Sequence, residues 1–111
     1  MDSVSRNAVV DIISLLVAGD YKGIELVSNG INVKANELEA AVRDYGRTLV
    51  MPDAEHLLID EVRVNGRVPP TWSVTCTLWT KEEGRSDLSL ELTVIRRADR
   101  AVIEVDGLHV L

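Results

Sequence analysis

The hydrophobic period of this chain changes once, near Leu57, from about 3.6 residues to 2. No other feature limits the fold as much. Before the switch, apolar side chains recur on helical faces. After it they alternate with polar ones, so the chain must place a helical half (residues 1–46) against a sheet half (residues 57–111). At 111 residues there is material for one core and not for two, which makes residues 1–111 a single α+β domain.

The helical half reads as two to three helices. Over residues 5–18, Val9, Ile13 and Leu16 fall at i, i+4 and i+7 with Val10 and Val17 beside them. Ser3 or Ser5 is placed to cap this helix and Gly19 to stop it. Asp20 opens a short second helix over Tyr21–Val27, closed by Asn29-Gly30, with Gly23 as its weak point. Leu38, Ala41, Val42 and Tyr45 share one face of a third helix over Asn36–Tyr45, which Gly46 ends. Ile31-Asn32-Val33 fits an extended turn or a very short strand, and residues 47–56, with Pro52, form the crossing to the sheet.

Four strands follow. Leu57–Val64 is bounded by Asn65-Gly66, and Pro69-Pro70 makes the next connection extended. Trp72–Thr80 turns Trp72, Val74, Cys76 and Leu78 one way and Ser73, Thr75 and Thr77 the other. Leu88–Arg96 repeats that pattern with Leu88, Leu90, Leu92 and Val94 inward, after a polar loop Lys81–Asp87. Ala101–Asp106 is the fourth strand, with Gly107 as a bulge before Leu108–Leu111. One-sided alternation predicts an antiparallel sheet with helices on one face and water on the other.

The block Leu15-Leu16-Val17-Ala18-Gly19-Asp20-Tyr21, with this order of elements, resembles the cystatin-like α+β superfamily and its small nuclear transport factor 2-like members. That resemblance implies a curved sheet that wraps the helices into a cone; the four strands read here are fewer than full-length members usually have. The strings Trp79-Thr80-Lys81-Glu82-Glu83-Gly84-Arg85-Ser86-Asp87-Leu88 and Asp106-Gly107-Leu108-His109-Val110-Leu111 resemble an uncharacterised family of short bacterial proteins, which brings no chemistry with it.

Charge and composition exclude several function classes. Eighteen acidic against 12 basic residues give a net charge of −6, which repels a phosphate backbone. The densest basic spot, Arg96-Arg97 with Arg100, has Asp99 inside it, so nucleic acid is not an expected partner. Two histidines without spaced thiol or acidic partners make no metal signature, and no cofactor motif is present. Cys76 is the only cysteine, which fits a reducing compartment. Asp2 cancels Arg6, and Asp11 interrupts the first apolar run, so residues 1–19 do not read as a signal peptide. No run approaches the roughly 20 apolar residues that span a bilayer. The expected location is the cytoplasm.

Each group able to carry chemistry has two readings. Asp60 shares parity with Leu58, Val62 and Val64, so it either points inward, where burial would raise its pKa, or lies at a solvated strand end. Asp106, His56 and His109 complete the acid–base candidates, with both histidines read as solvated. Cys76 reads as a buried thiol and Trp72 as core. Trp79 has the opposite parity and is either cover for the wet face or an anchor for a partner. Glu82, Glu83, Arg85 and Asp87, with Glu91, either present charge to a partner or simply solvate a turn.

The expectation is a non-enzymatic bacterial protein-binding module, and more specifically an immunity protein that neutralises a basic toxin domain. Its partner surface is Trp79, Glu82, Glu83, Arg85, Asp87 and Glu91. The rival is a small-ligand-binding or lyase/isomerase-like cone protein with Asp60 at the mouth of a pocket between helices and sheet. A homodimer joined through its sheet faces is the third reading.

Overall fold

The computed structural model describes residues 1–28 and 33–110. Three helices, α1 (Ser3–Val17), α2 (Tyr21–Val27) and α3 (Ala35–Tyr45), precede five strands, β1 (Leu49–Val50), β2 (Leu58–Arg63), β3 (Thr71–Thr80), β4 (Gly84–Arg96) and β5 (Ala101–Val110). The expected stop at Asn29-Gly30 and the extended Ile31-Asn32 lie outside the described residues, as does Leu111.

Helix ends follow local chemistry. Asp2, rather than Ser3 or Ser5, caps α1: its Oδ1 accepts from the Ser5 N–H at 2.9 Å. Asp20 caps α2 through the Gly23 N–H at 2.9 Å. At the start of α3 the Glu37 carboxylate accepts from the Lys34 N–H, and Glu25 reaches across from α2 to accept from the Ala35 N–H at 2.8 Å. Gly46 closes α3 at φ +73°, a conformation side chains disfavour.

Every strand pairing is antiparallel. The order β1-β3-β4-β5 is joined by β2, which also pairs with β3. A strand has two sides and β4 occupies one of them, so β1 and β2 lie end to end along the other. They are one edge strand interrupted by Pro52 and a 3-10 turn at Ala54–His56. An edge tolerates this, because an edge strand has no ladder to satisfy on its outer side. The crossing expected over residues 47–56 therefore contains a two-residue strand.

Two irregularities keep the apolar alternation in phase. Between Trp79↔Arg85 and Thr77↔Ser89, β4 carries two more residues than β3. Ser86 fills the gap: its hydroxyl donates to the Leu78 carbonyl at 2.7 Å and accepts from the Leu88 N–H at 3.1 Å. The loop expected over Lys81–Asp87 is therefore shorter, and strand resumes at Gly84. In β5, Asp106 is extra between Glu91↔Gly107 and Leu92↔Val105, which moves the inward set from Ile103 and Val105 to Leu108.

Helices and sheet meet through aliphatic side chains. Val9, Ile12, Ile13 and Leu16 of α1, Ile24 of α2 and Leu38 of α3 pack with Val74, Cys76, Leu78, Leu88, Leu90, Leu92, Val94 and Val105, each at most 3% exposed. Trp72 lies on this face, half-buried, with the Arg63 guanidinium 5.2 Å from its ring centroid. Among the described residues no helix is long and apolar enough to cross a membrane.

Candidate functional site

The helix-free face of the sheet carries most of the polar residues singled out in the sequence. Register sets three rows across it: Leu58–Thr77–Ser89–His109, Asp60–Thr75–Glu91–Gly107 and Val62–Ser73–Thr93–Glu104. The middle of each row is a short hydroxyl side chain, except for Glu91, so the face is low with carboxylates standing above it. Thr93 donates to Asp106 Oδ2 at 2.7 Å, which turns the bulged carboxylate onto the same face.

Asp60 is exposed and on this face, opposite Thr75. The inward reading is corrected: Ile59 and Glu61 hold the inward parity, paired with Cys76 and Val74. Among the described residues Asp60 does not face the space between helices and sheet: it lies on the far side, and aliphatic side chains pack the near one. Asp60 instead lines a shallow hollow of about 420 Å³ with Leu58, Thr75, Thr77 and Arg85. The hollow joins two of the predicted residues, Asp60 and Arg85, from strands that do not pair with each other.

His109 leans back over Gly107. A Cβ at residue 107 would lie 2.2 Å from the imidazole Nε2, so the glycine leaves room for the ring as well as serving the bulge. That lean brings Nε2 to 3.7 Å from Glu91 Oε2, with both side chains about half-exposed. Ser89, opposite His109, is fully buried, and its hydroxyl has no partner among the described residues. A serine, a histidine and a carboxylate thus neighbour one another in the sheet, with the serine hydroxyl buried.

Trp79 is half-buried, held between the His56 ring (centroids 5.4 Å apart) and Gly84, whose Cβ position lies 3.5 Å from the indole. The 3-10 turn is thus its cover. Asp53, Glu55 and His56 bring their ligand atoms within 4.8 Å of one another, but all three are exposed and no buried group among the described residues joins them.

Glu82 and Glu83 are tied to the fold itself. Glu82 accepts from the Thr48 N–H at 2.8 Å and from its hydroxyl at 2.9 Å, and these bonds hold its carboxyl below the usual range. Glu83 accepts from the Tyr45 hydroxyl at 2.9 Å and from Thr80 at 3.0 Å, while Tyr45 also accepts from the Asp87 N–H at 3.2 Å. The β3–β4 turn is therefore sewn to the end of α3 and the start of β1. Arg85 and Glu91 remain on the open face, and the exposed Asp87 side chain sits at its end. Cys76 is fully buried, and burial pushes its thiol up to about 12.

No curated protein and no solved structure matches the chain. The family model described as a domain of unknown function (DUF7668) matches residues 13–111, so it spans both halves of the fold, and the chain belongs to that family.

Proposed function

We propose that this protein is a non-enzymatic binding module that receives a basic partner protein on the helix-free face of its sheet. The carrying observation is the row of exposed or half-exposed carboxylates, Asp60, Glu91, Glu104 and Asp106, standing over a floor of threonine and serine. Short side chains let a partner approach closely, and the carboxylates supply complementary charge. Leu58 and Val62, 37% and 60% exposed at the β2 edge, add apolar area beside the hollow under Asp60. The chain's charge of −6 steers a basic partner in the same sense.

The nucleophile candidates favour binding over catalysis. Cys76 is buried beneath the helices with a raised pKa, and the Ser89 hydroxyl is covered. A basic nuclease-type toxin domain is the partner class such a face would steer first, which makes immunity the specific form of the proposal. A tagged pull-down at low and moderate salt, with the wild type and the D60K/E91K variant, tests it. One near-stoichiometric basic partner, weakened by salt and lost in the variant, is the expected result. Capture that ignores both salt and charge reversal would refute it.

A further inference from the structure

Helices α1 and α2 meet the sheet beside β5. β5 is the last strand, with β4 on one flank and, among the described residues, no strand on the other. Beside its first half lies a hollow of about 170 Å³ lined by Ala8, Ile12 and Leu15 of α1, Val27 of α2, and Ala101 and Ile103 of β5. Val27, which lines this hollow, is 60% exposed, so an apolar side chain stands beside an edge that has no strand among the described residues. Val27 and Ala101 also line a second hollow of about 380 Å³, completed by Val102, Arg97 and Arg100.

Arg96 fixes that end. It pairs with Asp2 at 2.8 Å and donates to the carbonyls of Arg97 and Arg100, while the Arg97 N–H closes the turn on the Arg100 carbonyl at 2.8 Å. Arg97 and Arg100 are left exposed. Arg97 has no ion pair among the described residues, and Arg100 meets only the exposed Asp99 at 3.6 Å. Asp11 is the charged group at the other hollow, so the groove is acidic at one end and basic at the other.

We infer that the β5 edge accepts an extended segment of a partner protein as an added strand along residues 101–105. The segment seats an apolar side chain under Val27 and sets a carboxylate against Arg97 and Arg100. Main-chain pairing supplies affinity in strand addition, and pockets for alternate side chains supply selectivity. The rest of the molecule agrees with this placement. The opposite edge is broken at Pro52 and carries Asp60, Glu61 and Arg63, whereas residues 101–105 of β5 carry one charge, Glu104, and no proline. The bulge at Asp106 confines pairing to the first half of β5, where the hollow is. The two surfaces meet at Glu104 on β5, but the hollows beside Val27 share no residue with the one under Asp60, so D60K/E91K and R97Q/R100Q test the two readings separately.

The test is a titration of ¹⁵N-labelled protein with an acetylated octapeptide. The probe alternates threonine and valine around one central leucine and ends in two glutamates. Shift changes and slowed amide exchange should fall on residues 101–105 and Val27. Affinity should drop at least tenfold in R97Q/R100Q, and likewise for the peptide ending in two lysines. A8L, which fills the hollow without touching the arginines, should weaken binding too, and unchanged spectra elsewhere show that each variant is folded. The inference is overturned by equal binding of the lysine peptide, by shifts centred on Thr75 and Glu91, or by no response of β5 at millimolar peptide. A β5-mediated dimer that excludes the peptide would also overturn it, since the occupant would then be a second copy.

Discussion

Replacing Cys76 with valine should remove an alkaline weakness built into the core. The thiol is fully buried between Val74 and Leu78 on the inward face of β3, and burial raises its pKa from 9.0 to about 12, against the opposing charge of Arg6. Between those values the folded chain keeps a proton that the unfolded chain loses, so stability falls as pH rises through this window. At pH 10.5 the unfolded thiol is about 1.5 units past its pKa and the folded one is still protonated. At about 1.36 kcal/mol per unit, that costs roughly 2 kcal/mol relative to neutral pH. Cys76→Val has no proton to lose there, and valine suits a buried strand position. Urea denaturation under reducing conditions at pH 7.0 and 10.5 measures the difference. Tyrosines and lysines titrate in both proteins and cancel in the comparison. Wild type should lose about 2 kcal/mol more than Cys76→Val between the two pH values. Parallel losses, agreeing within about 0.5 kcal/mol, would show that the native thiol ionises normally and is not sealed.

Two further perturbations probe the polar joints. Ser86→Ala leaves the Leu78 carbonyl and the Leu88 N–H unpaired inside the β3–β4 irregularity, and should cost about 2–4 kcal/mol by urea denaturation; a loss under 1 kcal/mol would mean that the strands close the gap without the hydroxyl. Asp2 is held at about 2, chiefly by its bond to Arg96 and then by the Ser5 N–H, so its contribution is present above pH 4 and disappears as pH falls toward 2. Asn caps helices as well as Asp, so Asp2→Asn should keep α1 and flatten stability against pH between 5 and 2, as followed by circular dichroism. An unchanged slope would remove the carboxylate–Arg96 bond from the account.

What the sequence makes legible depends on how much of a segment is covered on one side only. The central strands β3 and β4 are packed by helices on one face and wet on the other, so Val74, Cys76, Leu90 and Leu92 declare their direction by parity. Gly19, Gly46 and Gly107 likewise mark a stop, a stop and a bulge in the expected places. The edge strand β2 does not obey the same logic. Leu58, Asp60, Glu61 and Val62 are all exposed, because the helices do not reach that far, and apolar parity then carries no information about which face is inside.

Glu82 and Glu83 were unreadable for a different reason. Locally they look like turn carboxylates free for a partner, but their hydrogen-bond donors, Thr48 and Tyr45, lie 34 and 38 residues earlier. A carboxylate's lone pairs do not reveal whether a partner molecule or the same chain will fill them. Only the path of the backbone between residues 45 and 87 decides that. The acidity of the molecule thus divides into carboxylates that join its two halves and carboxylates left standing on the sheet. The proposed binding surface draws on the second set, Asp60 and Glu91, because using the first would require breaking the corner that holds the β3–β4 turn to α3.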